Sequence, residues 1–330
     1  MSSPLQYRGR FAPSPTGPLH FGSLVAAIGS YLDAKHHHGT WLVRMEDLDT
    51  PRCVPGAAED ILRTLEVFGL LSDEPVLYQS ERTEAYEEAL LKLQAGGAVY
   101  PCCCTRKEIA DSALHGIEGL VYPGTCRTGI PAGREGRAWR IRTDLRASPF
   151  PLPLSPIEFS DTLQGHITQN LEREIGDFVV KRADGLFAYQ LAVVADDADQ
   201  EITHIVRGAD LLASTARQIY LQRLLGLNTP AYMHLPVAVN AAGEKLSKQT
   251  LAAPVDTAQP VATLLRVLDF LRQQPPAALA DGDVASVLAW AIQHWDTAKL
   301  RGIQSLPAPV IGGTTSHSTK PASGQVAGYP

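Results

Sequence analysis

Apolar and polar residues follow two different periods along the first part of the chain. Residues 41–45 form a short apolar run with the length and composition of a buried strand. Three other stretches repeat apolar residues at helical spacing, at residues 24–35, 57–68 and 83–94. Strands that alternate with helices in this way are typical of a parallel sheet with helices on both faces. We therefore predict one half of a doubly wound α/β fold.

The alternation stops after Tyr100 and returns near residue 177. Between these points lie strand patterns at 138–142 and 157–167, the second with a turn at Gln164 and Gly165. A helix at 210–225 and a strand at 232–240 then resume the α/β pattern, and helices at 261–271 and 283–294 follow. We predict a first half of the α/β domain at 1–100, an insertion at 101–175, a second half of that domain at 176–253, a helical region at 254–305 and a disordered tail at 306–330.

Composition limits the class of protein. The 330 residues are 45% hydrophobic and 19% charged, as in globular proteins, and no apolar run is long enough to span a bilayer. The start of the chain lacks the features of a secretory signal, and adjacent cysteines indicate a reducing compartment. We expect a cytoplasmic monomer with no membrane partner. The net charge of −6 argues against general polyanion binding but leaves a local nucleic-acid surface possible.

Candidate chemistry begins at residues 10–23, where a proline-rich turn leads into the first helical pattern. The free amides at a helix start bind anions, and His20 stands two residues before the small Gly22, followed by Ser23. An imidazole and open backbone at this place suit the phosphates of a nucleotide. His36, His37 and His38 fit the end of the same helix better than a metal site, since positive charge suits a helix C-terminus.

Charged side chains that suit an acidic substrate and its activation occur in two further places. Glu46 directly follows the strand at 41–45, at the edge where parallel sheets bind ligands, and it suits an ammonium group. Lys245 and Lys248 lie on a turn after the strand at 232–240. Ammonium groups on such a loop can neutralise the negative charge of a ligand.

These motifs together resemble the glutamyl branch of the class I aminoacyl-tRNA synthetases. Residues 20–23 resemble the "HIGH" motif, residues 11–17 resemble the glutamyl form of the preceding turn, and residues 245–249 resemble the "KMSKS" loop with leucine for methionine and glutamine for the last serine. The resemblance covers about residues 7–300 and implies a Rossmann-like doubly wound parallel sheet with a zinc-containing insertion and a C-terminal helical region. It implies that glutamate binds Arg10, Phe11, Ala12, Pro13, Ser14, Glu46, Tyr189 and Arg207, and that ATP binds His20, Gly22, Ser23 and Lys248.

Cysteines on two turns of the insertion predict a metal site. Cys102, Cys103 and Cys104 precede Cys126 by about twenty residues, and two ligand pairs on two turns can close a tetrahedral zinc site. General rules leave the fourth ligand open between a third cysteine of the triplet and His115. The resemblance implies Cys102, Cys104, Tyr122 and Cys126, with Cys103 as the alternative to Cys104 or Tyr122. Cys53 lies outside the set.

The resemblance fits best with the glutamyl-Q tRNA(Asp) synthetases, short paralogues that lack the anticodon-binding helices of a full glutamyl-tRNA synthetase. It implies that ATP with Mg²⁺ activates L-glutamate, with His20, Lys245 and Lys248 as the catalytic residues. The acceptor is then a hydroxyl of queuosine at the wobble position of tRNA(Asp), and activation needs no tRNA. The alternatives are a truncated synthetase that charges the 3′ end of tRNA(Glu), a small-molecule nucleotidyltransferase and a non-catalytic RNA-binding module.

Overall fold

The helices and strands of the chain follow the predicted alternation. A computed structural model describes residues 6–112, 114–116, 119–144, 156–246 and 253–309. The helices are α1 Phe21–His36, α2 Ala57–Val67, α3 Thr83–Ala95, α4 Arg106–Ser112, α5 Leu171–Glu174, α6 Tyr189–Asp199, α7 Leu212–Leu225, α8 Pro260–Phe270 and α9 Val284–Gln293. The strands are β1 Arg8–Phe11, β2 Thr40–Met45, β3 Leu77–Tyr78, β4 Val99–Cys102, β5 Leu114–Gly116, β6 Gly119–Val121, β7 Ala138–Ile141, β8 Ile157–Asp161, β9 Gly165–Gln169, β10 Val179–Lys181, β11 His204–Gly208, β12 Ala231–Leu235, β13 Val237–Val239 and β14 Ser305–Pro307.

Two groups of parallel strands from distant parts of the chain form the catalytic half-sheets. In the first group β1, β2 and β3 pair in parallel, and in the second β11, β12 and β8 do so, with β9 antiparallel to β8. The groups meet where Thr203 N–H donates to the Arg8 carbonyl at 3.0 Å and Arg8 N–H donates to the Thr203 hydroxyl at 2.8 Å. The predicted α/β class is confirmed.

Helix α1 holds the two groups together from one side. Its buried residues include Leu24, Val25, Ile28 and Leu32, and it packs against strands of both groups and against α8 and α9. A Cβ on Gly29 would lie 2.4 Å from the end of the Leu235 side chain, so a larger residue would force this side chain to move. This packing fixes the start of α1 over the ends of β1 and β12.

The insertion has a small sheet of its own, and two strands predicted within it lie elsewhere. Strand β7 pairs antiparallel with β4 and β10, and β5 forms a hairpin with β6. By contrast, β8 and β9 hydrogen-bond into the sheet of β11 and β12. The predicted insertion at 101–175 therefore includes two strands that complete the second half-sheet.

Two predicted elements near the C-terminus differ from the structure. The single strand at 232–240 is divided into β12 and β13 at Pro236, because proline has no N–H to continue a ladder. The tail predicted as disordered from residue 306 is ordered as far as residue 309, since β14 pairs in parallel with β13 and Ala308 N–H donates to the Val239 carbonyl at 2.8 Å. Residues 310–330 lie outside the described residues. Among the described helices, none combines the length and the apolar character needed to cross a bilayer.

Candidate active site

A cavity of about 980 Å³ opens over the carboxyl ends of the parallel strands. This is the edge at which open α/β sheets bind ligands. Phe11 ends β1, Glu46 directly follows β2, and Arg207 lies near the end of β11. The described residues that the sequence proposed for glutamate, ATP and catalysis all line this one cavity: Arg10, Phe11, Ala12, Pro13, Ser14, His20, Gly22, Ser23, Glu46, Tyr189, Arg207 and Lys245. Lys248 lies outside the described residues.

His20 forms the start of α1. Its Nδ1 accepts a hydrogen bond from Ser23 N–H at 3.2 Å, and its carbonyl accepts from Leu24 N–H at 3.0 Å. The Ser23 amide, which the sequence offered to phosphate, is therefore used as a helix cap. Because Nδ1 accepts, the neutral imidazole carries its proton on Nε2. A Cβ on Gly22 would lie 3.2 Å from the His20 ring, so the small residue keeps the ring close to the helix start.

The described residues on either side of the second lysine lie beside the start of α1. Leu246 N–H donates to the Ala238 carbonyl at 2.8 Å, and the Leu246 carbonyl is 3.8 Å from the position of a Cβ on Gly22. On the far side, Val255 N–H donates to the Leu19 carbonyl at 2.9 Å, next to a bridge between His20 and Pro254. Lys245 itself forms an ion pair with Asp210 at 2.5 Å. Both flanks of residues 247–252 are thus anchored at the predicted phosphate site.

Two buried arginines share one buried aspartate behind the cavity. The Nε and Nη2 of Arg10 donate to the Asp197 carboxylate at 2.9 and 3.3 Å, and Arg44 Nη2 donates to Asp197 Oδ1 at 2.8 Å. Burial raises the pKa of Asp197, but the two guanidinium groups outweigh it and the net pKa is lowered. The resemblance implies that Arg10 is one of the residues that bind glutamate. In the structure, the edge of the Arg10 guanidinium that carries Nε and Nη2 is instead hydrogen-bonded to Asp197.

Glu46 is the buried carboxylate in this cluster that lacks a full set of partners. Its Oε1 has no hydrogen-bond partner among the described residues, and the nearest cation is Arg44 Nη2 at 3.6 Å. Burial raises the pKa of Glu46 to about 7, although Arg44 and Arg10 act in the opposite direction. An incoming ammonium group would supply both the missing hydrogen bond and the missing charge.

Arg207 is held by neighbours that the sequence did not identify. Its Nε lies 3.1 Å from His234 Nε2, its Nη2 donates to the Thr215 hydroxyl at 2.9 Å, and its Nη1 contacts the Tyr189 hydroxyl at 3.5 Å. His234 in turn lies 2.6 Å from Asp161. Burial raises the pKa of Tyr189, so its hydroxyl stays protonated beside the guanidinium.

The cysteines of the insertion form a second polar cluster, outside the cavity. The sulfur atoms of Cys102, Cys104 and Cys126 all lie within 4.8 Å of one another, and the Tyr122 hydroxyl lies 3.4 Å from the Cys102 sulfur and 3.3 Å from the Cys104 sulfur. Tetrahedral zinc at about 2.3 Å from its sulfurs places them roughly 3.8 Å apart. The pair Cys104 and Cys126, at 3.6 Å, fits that spacing. The donor set suits a metal ion.

The two alternatives for the fourth ligand differ in position. The Cys103 sulfur lies 3.7 Å from that of Cys126 but belongs to no group of metal-ligating side chains among the described residues, and the side chain of His115 is not among those described. The Tyr122 hydroxyl accepts from Cys126 N–H at 3.1 Å and so stands between the three sulfurs. Burial raises the pKa of the Tyr122 phenol, so a cation is required for it to bind as phenolate. Cys53 lines the cavity, far along the chain from this cluster.

Sequence reasoning missed the residues that hold the substrate-facing side chains. Asp197 contacts Arg10, His234 contacts Arg207 and Asp161 contacts His234, each from another segment of the chain, so no local motif includes both partners. One signal was present: Arg44 is a charged residue inside an apolar strand pattern, and it is completely buried. Such a residue needs a buried acid nearby.

The comparisons with known proteins identify the class of the fold and site. The family model described as "tRNA synthetases class I (E and Q), catalytic domain" matches residues 6–264. A crystal structure of a glutamate tRNA ligase from Elizabethkingia meningosepticum CCUG26117, in complex with its amino acid, superposes with a TM-score of 0.72 and 25% identity, covering 92% of this chain and 67% of that one. The fold is that of a class I synthetase.

Curated relatives narrow the class to one family. The Glutamyl-Q tRNA(Asp) synthetase of Dechloromonas aromatica (strain RCB) is 61% identical over 312 residues, which cover 93% of this chain and 100% of the relative. The protein of the same name from Aromatoleum aromaticum is 58% identical, covering 88% of this chain and 89% of the relative. The chain belongs to the glutamyl-Q tRNA(Asp) synthetase family.

Proposed function

We propose that this protein activates L-glutamate with ATP and transfers the glutamyl group to queuosine in tRNA(Asp). The single observation that carries the proposal is Glu46, a carboxylate with only 9% of its side chain exposed and without a full set of partners, in the same cavity as Arg207. An acidic amino acid brings the two complementary groups, an ammonium for the acid and a carboxylate for the arginine. The names of the relatives supply the transfer reaction.

In the first step an oxygen of the glutamate α-carboxylate attacks the α-phosphorus of ATP. The bond to this oxygen forms, the bond between α-phosphorus and the bridging oxygen breaks, and pyrophosphate leaves with the electron pair. His20 Nε2–H and the start of α1 stabilise phosphate charge, while Lys245 and Lys248 neutralise the leaving group. Class I synthetases use ATP with Mg²⁺, which shares this neutralisation when bound.

Substrate groups are oriented by the buried charges beneath the cavity. Glu46 accepts from the glutamate ammonium, and Arg207 with Tyr189 contacts a carboxylate of the amino acid. Arg10 adds positive charge at a fixed position, because its guanidinium is hydrogen-bonded to Asp197. Phe11, Ala12, Pro13 and Ser14 line the wall beside them. Because these groups are held before the substrate arrives, catalysis comes from orientation and electrostatics, and no protein nucleophile is needed.

In the second step a hydroxyl of the queuosine cyclopentenediol attacks the carbonyl of the glutamyl adenylate, and AMP leaves. The insertion is held by a structural zinc ion on Cys102, Cys104, Tyr122 and Cys126, whose donor spacing suits that metal. We expect the protein to be a monomer. A specific observation favours one alternative acceptor, the 3′ end of tRNA(Glu), because the solved structure above is a glutamate tRNA ligase.

The choice between acceptors is tested with labelled glutamate and purified tRNAs. The proposal predicts acid-precipitable label on tRNA(Asp) that carries queuosine, and none on the same tRNA lacking it or on tRNA(Glu). Label on tRNA(Glu) that disappears after periodate treatment of its 3′ end would favour the truncated synthetase. Turnover to a stable product without RNA would favour a small-molecule nucleotidyltransferase.

The first step is tested by exchange between pyrophosphate and ATP. We expect glutamate-dependent exchange in the absence of tRNA, and a loss of at least about a hundredfold in Lys248→Ala, because a leaving-group charge contact is removed. Lys92→Ala is the matched control, since Lys92 is exposed on α3 and, within the described residues, its ion pair is with Glu88 of the same helix. Full activity in Lys248→Ala would remove this loop from the mechanism, and absence of exchange in the wild type would favour an RNA-binding module.

A further inference from the structure

Arg207 uses most of its donors on protein groups beneath the cavity. Nε faces His234, and Nη2 donates to the Thr215 hydroxyl at 2.9 Å and to the Leu211 carbonyl at 3.4 Å. Only Nη1 reaches the cavity-lining Tyr189, and that contact is the longest of the set at 3.5 Å. The side chain is therefore fixed along one edge and presents the remaining end to a ligand.

The contact between Arg207 and His234 determines where the imidazole proton is. A guanidinium has only donors, so His234 Nε2 must accept, and its proton must be on Nδ1. Nδ1 lies 2.6 Å from Asp161 Oδ2, which accepts that proton. Burial lowers the pKa of His234 and Arg207 lowers it further, while Asp161 acts in the opposite direction; the net effect keeps the imidazole neutral. If His234 were protonated, its Nε2–H would be a donor that faces the Nε–H donor of Arg207.

Asp161 is itself held in one orientation. Its Oδ1 accepts from the backbone N–H groups of Gln164 at 2.8 Å, Leu163 at 3.0 Å and His234 at 3.3 Å. Oδ2 is thereby left for the imidazole. Asp161 and His234 are both buried, and they lie at the ends of the neighbouring strands β8 and β12. Neither side chain lines the cavity.

We infer that Asp161 and His234 form a positioning relay, in which the aspartate selects the Nδ1–H tautomer of the histidine and the histidine fixes the guanidinium of Arg207 for the carboxylate of the amino acid substrate. The inference rests on the proposed function, which supplies that substrate. Neither relay residue touches glutamate or ATP, so the relay controls glutamate affinity and leaves ATP affinity unchanged.

Asp161→Asn tests the relay with almost no change of shape. The asparagine oxygen can still accept from the amides of Leu163 and Gln164, which places its NH₂ group against His234 Nδ1. That donor forces the imidazole proton to Nε2, where it opposes Arg207. We expect the KM for glutamate in the exchange reaction to rise about 10- to 100-fold, with the KM for ATP within about twofold of wild type. Nitrogen NMR of labelled histidine should show the proton moving from Nδ1 to Nε2.

Substitutions of His234 separate its two contacts. His234→Asn keeps a donor near Asp161 and loses the acceptor for Arg207, so it should raise the KM for glutamate as Asp161→Asn does. His234→Gln places an oxygen near the position of Nε2 and should recover part of the loss. Gln273→Met is the matched control, because Gln273 is also a buried polar side chain but donates to the carbonyls of Leu271 and Asp296 in the C-terminal helical region.

The relay is overturned by a wild-type His234 that carries its proton on Nε2. It is also overturned if folded Asp161→Asn keeps the wild-type KM for glutamate, or if the KM for ATP rises as much, in which case the damage is general. A wild-type enzyme without glutamate-dependent exchange would contradict the proposed function instead. The NMR tautomer would then still confirm or overturn the relay by itself.

Discussion

The amino-acid cavity and the cysteine cluster both bury polar side chains, but they satisfy them differently. At the cavity, Arg10 and Arg44 are paired with Asp197, and Arg207 is paired with His234 and Thr215, so the protein supplies nearly every partner. In the cluster the thiols of Cys102, Cys104 and Cys126 and the phenol of Tyr122 contact chiefly one another.

This difference predicts which region needs its ligand in order to fold. The cavity lies on two large hydrophobic clusters, whereas the buried residues beside the cysteines are few: Tyr100, Cys102, Tyr122 and Cys126. We expect a small module with so little apolar burial to depend on a bound ion for its stability. The cavity should therefore be formed before substrate binds, and the insertion should be formed only with its metal.

The largest expected effect is the loss of the metal ligands. Replacing Cys102 and Cys126 together by serine should abolish stoichiometric zinc and unfold the insertion, because a structural zinc site contributes on the order of 10 kcal/mol to folding. Zinc content by mass spectrometry of the purified protein checks the first result. Amide hydrogen exchange across residues 99–141 checks the second.

Cys103→Ser is the matched control for the double substitution. Cys103 lies in the same triplet but outside the group whose ligand atoms come together, so zinc content should stay at one equivalent. Zinc that remains bound after loss of both Cys102 and Cys126 would place the site elsewhere. Loss of zinc from Cys103→Ser alone would show that Cys103 is a ligand in place of another cysteine of the triplet.

The next effect comes from Glu46, which the cavity leaves incompletely paired. Its pKa is raised from 4.5 to about 7, so between these values the folded state holds a proton that the unfolded state has released. The free energy of unfolding therefore falls as pH rises through this window. Glu46→Gln should stabilise the protein at pH 8 by up to about 3 kcal/mol and much less at pH 4. The same change should raise the KM for glutamate at least about tenfold.

Glu74→Gln provides the control with opposite sign. The hydrogen bond from Arg8 lowers the pKa of the exposed Glu74, so this carboxylate adds a little stability above pH 4.5 that is lost as pH falls. Its substitution should slightly destabilise the protein at pH 8 and leave the KM for glutamate unchanged. Denaturant unfolding at both pH values measures each effect. A Glu46→Gln protein less stable than wild type at pH 8 would show that the carboxylate is already well paired.

The sequence predicted the α/β alternation and the residues that line the cavity, because both depend on local patterns. Glu46 follows a recognisable strand, and His20 precedes a recognisable helix. The supporting residues could not be predicted in this way. Arg10 and Asp197 are 187 positions apart, and His234 and Asp161 are 73 positions apart, so their pairing exists only after the two half-sheets meet.

The sheet that β8 and β9 join could not be predicted for a related reason. Its own strands are short, and β8 and β9 have the same alternating pattern whichever sheet they join. The pairing of β8 with β12 is decided by packing that spans the insertion. Likewise, nothing in the sequence distinguished Arg140, which is buried against the cysteines, from Arg137, which is exposed.

Substitution of Arg140 should have the smallest effect. The contacts of Arg140 also show that the protein supplies a partner to the cysteine cluster as well as to the cavity. Its Nε lies 3.4 Å from the Cys102 sulfur, its guanidinium carbon lies 4.0 Å from the centre of the Tyr122 ring, and Nη1 donates to the Asp177 carbonyl at 2.7 Å. Zinc with three thiolates and a phenolate carries excess negative charge, which a fixed guanidinium offsets. The protein thus contributes a buried charge partner to a cluster whose side chains otherwise contact chiefly one another.

Arg140→Met should therefore weaken zinc binding about 10- to 100-fold without removing a ligand. Competition with a chromophoric chelator measures the affinity, and cobalt substitution reports whether the ligand set is unchanged. Arg142→Met is the matched control, because Arg142 follows the same strand but pairs with Asp144 and not with a cysteine. Arg140→Lys should fall between, since it keeps the charge and loses the fork. Equal zinc affinity in Arg140→Met and wild type would mean that Arg140 does not contribute to zinc binding. The cysteine cluster would then differ fully from the cavity, whose charged side chains are paired by the protein.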